Sequence, residues 1–436
     1  MKLRSLLSIF AFLPALAVGC AATTDDGSAG NEAGDEDEFT SASAKLLDFE
    51  FDGEVFMAGG SAEQTIRDQM LFTIGQLNGK TGVGRLDKLA LSNIQSERQG
   101  NLTRVTYHAK LPVSMSKNTR FGRTYTLQLP KRADWAGQEA FYAKYGNGGH
   151  AGGCVDWSGH DLETGIFWYY YRPEQSGCSI DAADVVKARA SVRVSPENTT
   201  NKYPEYDKIW ADDILDVVAI FGKVEDGRTT EADRGIWSHN HFVSTMKREL
   251  PNATVTPADT PERPGIQFPD VTIESTLANG KKVRLTSFLV DNVREGGPAF
   301  EARYTELSGK ADVIVYNGHA GLGQNVRALA RMGRFEPGKY QIIYMNGCDT
   351  FAYVDGYLAQ TRAQLNPDDP TGTKYMEIIT NSMPPNWDSL PINTMSMVRD
   401  LMKLDAPLKY TELLGHFDQS GFVVVTGEED NTFRPR

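Results

Sequence analysis

Short apolar runs that alternate with helix-like segments constrain the fold of the C-terminal half of this chain. The runs are LDVVAIF (215–221), ADVIVYN (311–317), QIIYMN (341–346), MEIIT (376–380) and FVVVT (422–426). A run of this length without polar alternation is typical of a strand buried on both faces, and strands separated by helices form a mostly parallel sheet. Residues 212–436 are therefore predicted to form an α/β domain whose sheet is flanked by helices.

Residues 45–195 follow a different rhythm, in which strand-like segments succeed one another directly. The predicted strands are LLDFEFDGEVFM, LTRVTYHAKLPV, RTYTLQLP, TGIFWYYYRP and VVKARASVRV, with the aromatic run read as one face of a sheet. One helix is indicated at residues 61–79, where Ser61 and Gln64 form a capping box. Adjacent strands favour an antiparallel sheet, so we predict an α+β accessory domain that ends at a turn-rich boundary, 195–213.

The first 44 residues are predicted to lie outside both domains. Two basic residues precede an apolar run from Leu6 to Val18, which is too short to span a bilayer, so residues 1–19 are predicted to be a signal peptide. Residues 20–44 contain seven carboxylates and no lysine or arginine. A segment of that composition does not bury apolar surface, and it is predicted to be a disordered acidic tether.

Residues 17–20, AVGC, span the predicted cleavage point and resemble the lipobox of bacterial lipoproteins. The resemblance implies that Cys20 becomes the first residue of the mature chain and carries lipid such as palmitate. Ala21 rather than aspartate follows it, which by resemblance to the bacterial sorting rule favours the outer membrane. The expectation is a lipid-anchored protein of the cell envelope. The alternative is an ordinary cleaved signal in which Cys20 is incidental.

Three cysteines follow Cys20 along the chain. Cys154 and Cys178 lie 24 residues apart, and in an oxidising compartment they are predicted to form a disulfide that pins a glycine-rich loop. His150 and His160 flank Cys154, so a metal site is the alternative for this loop. The third cysteine, Cys348, has no obvious partner and is either a buried inert thiol or a reactive one.

His319 and Cys348 each stand just after an apolar run and an Asn-Gly pair. The pairs are Asn317-Gly318 and Asn346-Gly347, and both residue types tolerate the backbone of a sharp turn out of a strand. The 29 residues between His319 and Cys348 fit a loop, a helix and a returning strand, which is one βαβ unit. The two side chains are therefore predicted to meet at the same edge of a parallel sheet.

The pairing of His319 with Cys348 has a chemical rationale, because a nearby histidine favours the thiolate and supplies a proton to a leaving group. The backbone N–H groups of Ala320 and Cys348 are candidate donors to an oxyanion. This constellation resembles the caspase-like cysteine peptidases, and the Gly-Cys pair is most similar to their gingipain branch. The resemblance covers residues 212–436 and implies that His319 is the catalytic histidine and Cys348 the nucleophile. The family usually has glycine where this chain has Ala320.

The expected function is that of a surface-anchored cysteine endopeptidase acting on a peptide or protein substrate. One alternative is a catalytically inactive caspase-like lipoprotein that serves as a binding or structural protein of the envelope. The net charge of −12 argues against nucleic-acid binding, because a nucleic-acid binder needs a basic face to replace phosphate counterions.

Metal binding is the third function that the sequence raises. His239 and His241 fall in a predicted helix, where a spacing of two residues separates the side chains by about 200°. No HExxH motif occurs. The oxygen-rich stretches 367–372 and 426–431 suggest calcium binding, but neither has the regularly spaced oxygen ligands of a calcium-binding loop. The expectation is therefore a protein without a metal or a cofactor.

Overall fold

Two β-sheets organise the protein in this computed structural model, which describes residues 38–146, 153–159, 162–354, 356–427 and 431–435. These described residues cluster as one compact unit. The strands are β1 Phe39–Ser41, β2 Ala44–Met57, β3 Gly82–Gly84, β4 Ala90–Gln99, β5 Leu102–Ser116, β6 Thr124–Pro130, β7 Val185–Val194, β8 Asn198–Thr199, β9 Ile214–Gly222, β10 Thr254–Thr256, β11 Asp270–Thr276, β12 Lys282–Val290, β13 Val313–Asn317, β14 Gln341–Asn346, β15 Met376–Asn381 and β16 Val423–Thr426. The α-helices are α1 Ala62–Asn78, α2 Trp135–Tyr145, α3 Phe167–Tyr170, α4 Tyr206–Ile209, α5 Arg234–Glu249, α6 Gly297–Ser308, α7 Gln324–Met332, α8 Thr350–Tyr353, α9 Tyr357–Leu365, α10 Ser389–Leu401 and α11 Tyr410–Leu413.

Several features predicted from the sequence lie outside the described residues. They are the signal peptide, the lipidation site Cys20, most of the acidic tether, and the two histidines His150 and His160. Within the described ranges, no helix combines the length and the apolar character that crossing a bilayer requires.

The larger sheet has ten strands in the order β10-β11-β12-β9-β13-β14-β15-β16-β1-β8. Its centre, β12-β9-β13-β14-β15, is parallel, and antiparallel strands continue it on both sides. Every residue of β13, β14 and β15 is buried. The predicted α/β class with a mostly parallel sheet is therefore confirmed for this region.

Strand β13 shows why the apolar runs have no polar alternation. Val313 and Val315 belong to a core that also contains residues of α5 and α10, whereas Ile314 and Tyr316 belong to a separate core with residues of α6 and α7. Successive side chains of a strand point to opposite faces, so both faces of the sheet are covered by helices and both sets must be apolar.

The smaller sheet has the order β3-β5-β2-β7-β6, with β4 added to β5, and all its strand pairs are antiparallel. Helix α1 packs Ile66, Met70 and Leu77 into its core. The helix begins at Ser61, whose side chain accepts a hydrogen bond from the Gln64 N–H, as the capping pattern predicts. The antiparallel layout is confirmed, although β4 has no apolar alternation to reveal it because none of its residues is buried.

The TGIFWYYYRP segment, predicted as a strand, instead contains the short helix α3. Phe167 and Tyr171 both pack edge-to-face on Phe72 of α1, with ring centroids 6.1 Å and 5.4 Å away. Helix α1 comes so close that a Cβ on Gly75 would lie 2.3 Å from the carbonyl oxygen of Trp168. The strand prediction is wrong because packing against α1 favours a compact helical turn, and this packing outweighs the strand propensity of the aromatic residues.

The end of the predicted tether also needs correction. Residues Phe39–Ser41 form β1, which is buried and pairs with β16 and β8 in the larger sheet, and β2 begins at Ala44. The acidic composition that indicates disorder ends at Glu38, and the apolar ring of Phe39 lies in the core. The tether prediction is thus wrong for these last residues.

A fourth core joins the two sheets. It brings Phe351 and Tyr353 of α8 together with Phe39 of β1 and with aromatic residues of the accessory region. Nearby, the buried hydroxyl groups of Ser114 on β5 and Ser382, just after β15, lie 2.6 Å apart. The regions 45–195 and 212–436 therefore share a core, in which residues of α3 lie together with α8, the helix that follows β14.

Candidate active site

The register of β13 and β14 sets His319 and Cys348 at equivalent positions. Asn317 is the parallel partner of Asn346, and each functional residue follows its asparagine by two positions. Both side chains line one cavity of about 330 Å³. The predicted βαβ unit, β13-α7-β14, is thus confirmed, and it brings the two residues to the same edge of the sheet.

Gly347 allows the two turns to abut. A Cβ placed on this residue would lie 2.6 Å from the carbonyl oxygen of Gly318 and 3.3 Å from the backbone nitrogen of Ala320. The first distance is a clash with backbone, which has no side-chain freedom to relieve it. The residue before the cysteine must therefore be glycine if the histidine turn is to lie against it.

The imidazole of His319 is oriented by a backbone carbonyl. Its Nε2 lies 3.0 Å from the oxygen of Val224, which can only accept, so Nε2 carries the proton and Nδ1 is the basic nitrogen of the neutral ring. The indole of Trp387 packs at 76° to the ring, with centroids 5.0 Å apart. The carbonyl of His319 in turn accepts from the Tyr316 hydroxyl and from Asn325 Nδ2, both at 2.8 Å.

Asp233 holds the loop that supplies the Val224 carbonyl. One carboxylate oxygen accepts hydrogen bonds from the N–H groups of Val224 and Glu225, at 3.0 Å and 3.1 Å. The other caps α5 by accepting from the N–H groups of Gly235 and Ile236. A helix cap thus fixes the acceptor of His319, a role that sequence reasoning missed because an aspartate before a helix has no distinguishing signal.

The thiol of Cys348 is half-buried. Burial, followed by the nearby Asp349 carboxyl, raises the pKa of Cys348 to about 12, so the thiol is protonated at neutral pH. Within the described residues, no hydrogen bond joins its sulfur to the imidazole of His319. The raised pKa disfavours a preformed thiolate in the free protein.

Asp349 is fully buried directly after Cys348, in the left-handed backbone region with φ of 50°. Its Oδ2 accepts a hydrogen bond of 2.7 Å from the hydroxyl of Tyr169 in α3. Burial raises the pKa of Asp349 to about 7, although the Tyr169 hydroxyl and the charge of Arg172 partly oppose that shift. The accessory region thus contacts the residue next to the thiol.

The backbone N–H groups of Ala320 and Cys348 are the donors that the sequence predicts for an oxyanion. The N–H groups of Ala320 and Cys348 donate no hydrogen bond to another residue in the described part of the chain. Both residues line the cavity. Unpaired N–H groups beside a nucleophile are suited to an oxyanion, and the change from glycine to Ala320 leaves its N–H in place.

A ladder of buried asparagine side chains lies beneath the two turns. Asn346 Nδ2 donates to Asn317 Oδ1 at 2.9 Å, and Asn381 Nδ2 donates to Asn346 Oδ1 at 3.0 Å and to the Gly347 carbonyl at 3.1 Å. Thr394 of α10 donates to Asn317 Oδ1 at 2.9 Å. The predicted support from Asn317 and Asn346 is thus extended by Asn381, at the end of the next strand, which the sequence reasoning missed.

The walls of the cavity come from both regions of the protein. Ile166, Tyr169 and Tyr170 of the accessory region face Leu322, Tyr353 and Trp387 of the α/β region. The three accessory residues were missed as site residues because they fall in the aromatic run that was predicted to be a sheet face. The TGIFWYYYRP segment was nevertheless the sequence feature that contained all three residues.

The disulfide between Cys154 and Cys178 is present, as predicted. It closes the loop that contains α3, so the accessory wall of the cavity belongs to a cross-linked segment. Cys348 is the free cysteine of the described residues.

The histidines and acidic stretches raised as metal ligands have other partners. His239 is buried in α5, where Nδ1 contacts Ser287 Oγ at 2.8 Å, and burial lowers its pKa to about 4. His241 stacks on Trp237 instead, with centroids 4.9 Å apart. Asp369, in the 367–372 stretch, accepts hydrogen bonds from N–H groups of its own turn. The described residues contain no group of three or more histidine, cysteine or acidic side chains placed to hold a metal ion.

Comparison with known proteins gave no match to a protein-family model, to a curated protein or to a solved structure.

Proposed function

We propose that residues 212–436 form a caspase-like cysteine endopeptidase domain in which Cys348 is the nucleophile and His319 the general acid and base. The observation that carries this proposal is the shared register of the two strand ends, which puts a histidine, a thiol and two N–H groups around one cavity; neither N–H donates to another of the described residues. These are the parts that acyl transfer to sulfur requires.

The proposed reaction begins when the substrate carbonyl enters the cavity. His319 Nδ1 takes the thiol proton as Cys348 Sγ attacks the carbonyl carbon, and the N–H groups of Ala320 and Cys348 stabilise the oxyanion. Collapse of this intermediate breaks the C–N bond, and His319 transfers its proton to the departing amine. Water then hydrolyses the thioester. His319 takes one proton from this water and returns it to the sulfur of Cys348 as the carboxylic acid product leaves.

The raised pKa of Cys348 fits this order of events. A free protein with a protonated thiol has no standing thiolate–imidazolium pair, so His319 must act as a base during attack. The hydrogen bond from Nε2 to the Val224 carbonyl keeps Nδ1 as the nitrogen that receives the proton.

The proposal includes the setting that the N-terminal sequence suggests. A lipid on Cys20 would anchor the protein in the cell envelope, with the outer membrane favoured, and the substrate would be a peptide or protein met there. This part depends on the lipobox resemblance alone.

The test is digestion of a diverse peptide library, read by mass spectrometry. Cys348→Ala and His319→Ala should each reduce cleavage by about 10³-fold or more, because the two groups act as a unit. His241→Ala removes a half-exposed histidine outside the cavity and serves as the matched control, with cleavage unchanged. Cleavage that persists in Cys348→Ala would refute the proposal.

The second candidate is a catalytically inactive protein that binds peptides in the same cavity. It is favoured by the protonated thiol and by the lack of a hydrogen bond between Cys348 and His319 among the described residues. It predicts that peptides bind to the wild-type protein and are recovered intact.

A further inference from the structure

We infer that the cavity beside Cys348 accepts an uncharged, apolar or aromatic side chain, carried by the residue whose carbonyl the thiol would attack. This inference rests on the proposed function for the identity of that residue, but the binding preference itself stands on the chemistry of the walls. A cavity with this preference differs from a specificity pocket that selects a basic or an acidic side chain.

Apart from the imidazole of His319, the described walls of the cavity consist of hydrocarbon and aromatic rings. Ile166, Leu322 and Trp387 are apolar, and Tyr169, Tyr170 and Tyr353 contribute rings. Among the described residues that line the cavity, none is an aspartate, glutamate, lysine or arginine. A charged side chain that entered would lose hydration without gaining an ionic partner, whereas an apolar one would gain from leaving water.

The Asp349 carboxyl and the Arg172 guanidinium are not among the described groups that line the cavity. Asp349 is fully buried, does not line the cavity, and its Oδ2 is held by the hydroxyl of Tyr169. The guanidinium of Arg172 lies 2.9 Å from the Asp156 carboxylate and donates to the carbonyl of Tyr169 at 3.1 Å. Tyr169 lines the cavity and holds the buried carboxyl through its hydroxyl, so the wall is formed by Tyr169 and not by the charge.

The size of the cavity fits a large side chain. An apolar cavity of about 150 Å³ is enough to hold a benzene molecule, and this one has about 330 Å³. Ala320 and Cys348 line it and also supply the candidate oxyanion donors. A side chain on the residue that bears the attacked carbonyl is therefore within reach of the cavity.

Binding to Cys348→Ala tests the inference without relying on turnover. Four fluorescent hexapeptides that differ only at one central residue, Phe, Leu, Arg or Asp, are titrated and followed by anisotropy. The Phe and Leu peptides should bind about tenfold or more tightly than the Arg and Asp peptides, as burial of one apolar side chain allows. Equal affinities, or tighter binding of a charged peptide, would overturn the inference.

A charge placed in the wall should reverse the preference. Ile166→Asp, combined with Cys348→Ala, should weaken binding of the Phe peptide and make the Arg peptide the tighter ligand by about tenfold. Ile94→Asp is the matched control, because Ile94 is an exposed isoleucine on β4 outside the cavity, and it should leave the order unchanged. No change of order in Ile166→Asp would also overturn the inference.

Library cleavage by the wild-type protein separates this inference from the proposed function. Cleavage after Phe or Leu that is lost in Cys348→Ala supports both. Cleavage after Arg, Lys, Asp or Glu that depends on Cys348 supports the peptidase and overturns the apolar specificity. Binding of the Phe peptide with no cleavage overturns the peptidase and supports the apolar cavity.

Discussion

The Nε2 atom of His319 lies 3.0 Å from the carbonyl oxygen of Val224. A carbonyl fixes the tautomer as a carboxylate would, but it carries no charge to stabilise an imidazolium. The carbonyl of Val224 therefore orients the imidazole ring but does not stabilise its protonated form. A proton that reaches Nδ1 is passed on more readily to a leaving amine.

We predict that Asp233→Asn will reduce kcat while leaving KM nearly unchanged. Asparagine still caps α5, but its amide N–H replaces the oxygen that accepts from Val224 and Glu225, so that loop loses its anchor. The unpaired donors should cost about 1–3 kcal/mol of unfolding free energy. Misplacement of the carbonyl should reduce kcat between about tenfold and a hundredfold, measured on a cleaved library peptide.

Ser61→Asn is the control for that substitution. Ser61 caps α1 through a hydrogen bond from the Gln64 N–H and is not among the described residues that line the cavity, and asparagine keeps that bond. An equal loss of kcat in both variants would contradict the positioning role of Asp233.

We predict that Asn381→Ala will destabilise the protein and slow catalysis together. The substitution leaves Asn346 Oδ1 and the Gly347 carbonyl without their donor in a fully buried place, which should cost about 2–4 kcal/mol in urea unfolding. Gln95→Ala, an exposed amide on β4, should change the unfolding free energy by less than about 0.5 kcal/mol. If the two substitutions changed the unfolding free energy equally, the buried asparagine side chains would not support the two turns.

We predict that Asp349→Asn will become more stable than the wild type as the pH rises from 4 to 8. Burial raises the pKa of Asp349 from 3.8 in the unfolded chain to about 7, so the folded state holds a proton that the unfolded state releases in this range. The stability from the protonated carboxyl is full below pH 3.8 and is lost as pH approaches 7. The wild type should lose up to about 4 kcal/mol relative to the variant.

Urea unfolding of both proteins at several pH values measures this difference. Tyr169, Arg172 and Asn78 partly oppose the upward shift of the Asp349 pKa, Cys348 and Tyr353 face its carboxyl, and the substitution leaves all of them in place. Curves of unfolding free energy that stay parallel from pH 4 to 8 would contradict a raised pKa.

We predict that alkylation of Cys348 by iodoacetamide will rise about tenfold per pH unit between pH 7 and 10, because the thiolate reacts and the pKa of the thiol is raised to about 12. Asp349→Asn should accelerate alkylation at pH 8 by removing a nearby negative charge. Peptide mapping identifies the modified residue, and Cys348→Ala is the blank. A rate already at its plateau at pH 7 would show a preformed thiolate instead.

The sequence predicted the parts of the fold that depend on local pattern. Buried strands of β13 and β14 have uniformly apolar sequences, and two Asn-Gly turns with a helical interval between them placed His319 beside Cys348. The disulfide followed from cysteine counting. In each case, the determining information lies within a few tens of residues and has a residue-type signature.

The parts that the sequence did not predict depend on contacts between distant segments. The Val224 carbonyl is backbone and has no side-chain signature, and Asn381 is separated from its partner Asn346 by a whole βαβ step. The aromatic residues Tyr169 and Tyr170 have high strand propensity, which the packing of α1 against α3 overrides.

Strand β1 has a practical consequence for anyone who shortens this protein. Thr40 and Ser41 pair with Val425 and Val424 of β16, and the Ser41 hydroxyl donates to the carbonyl of Val423. A recombinant chain that starts at residue 44 would leave the backbone groups of β16 with an open edge. Such an edge recruits strands from other molecules and leads to aggregation. Chains made for biophysical work should therefore keep every residue from Phe39 onward, even though the acidic leader in front of it looks dispensable.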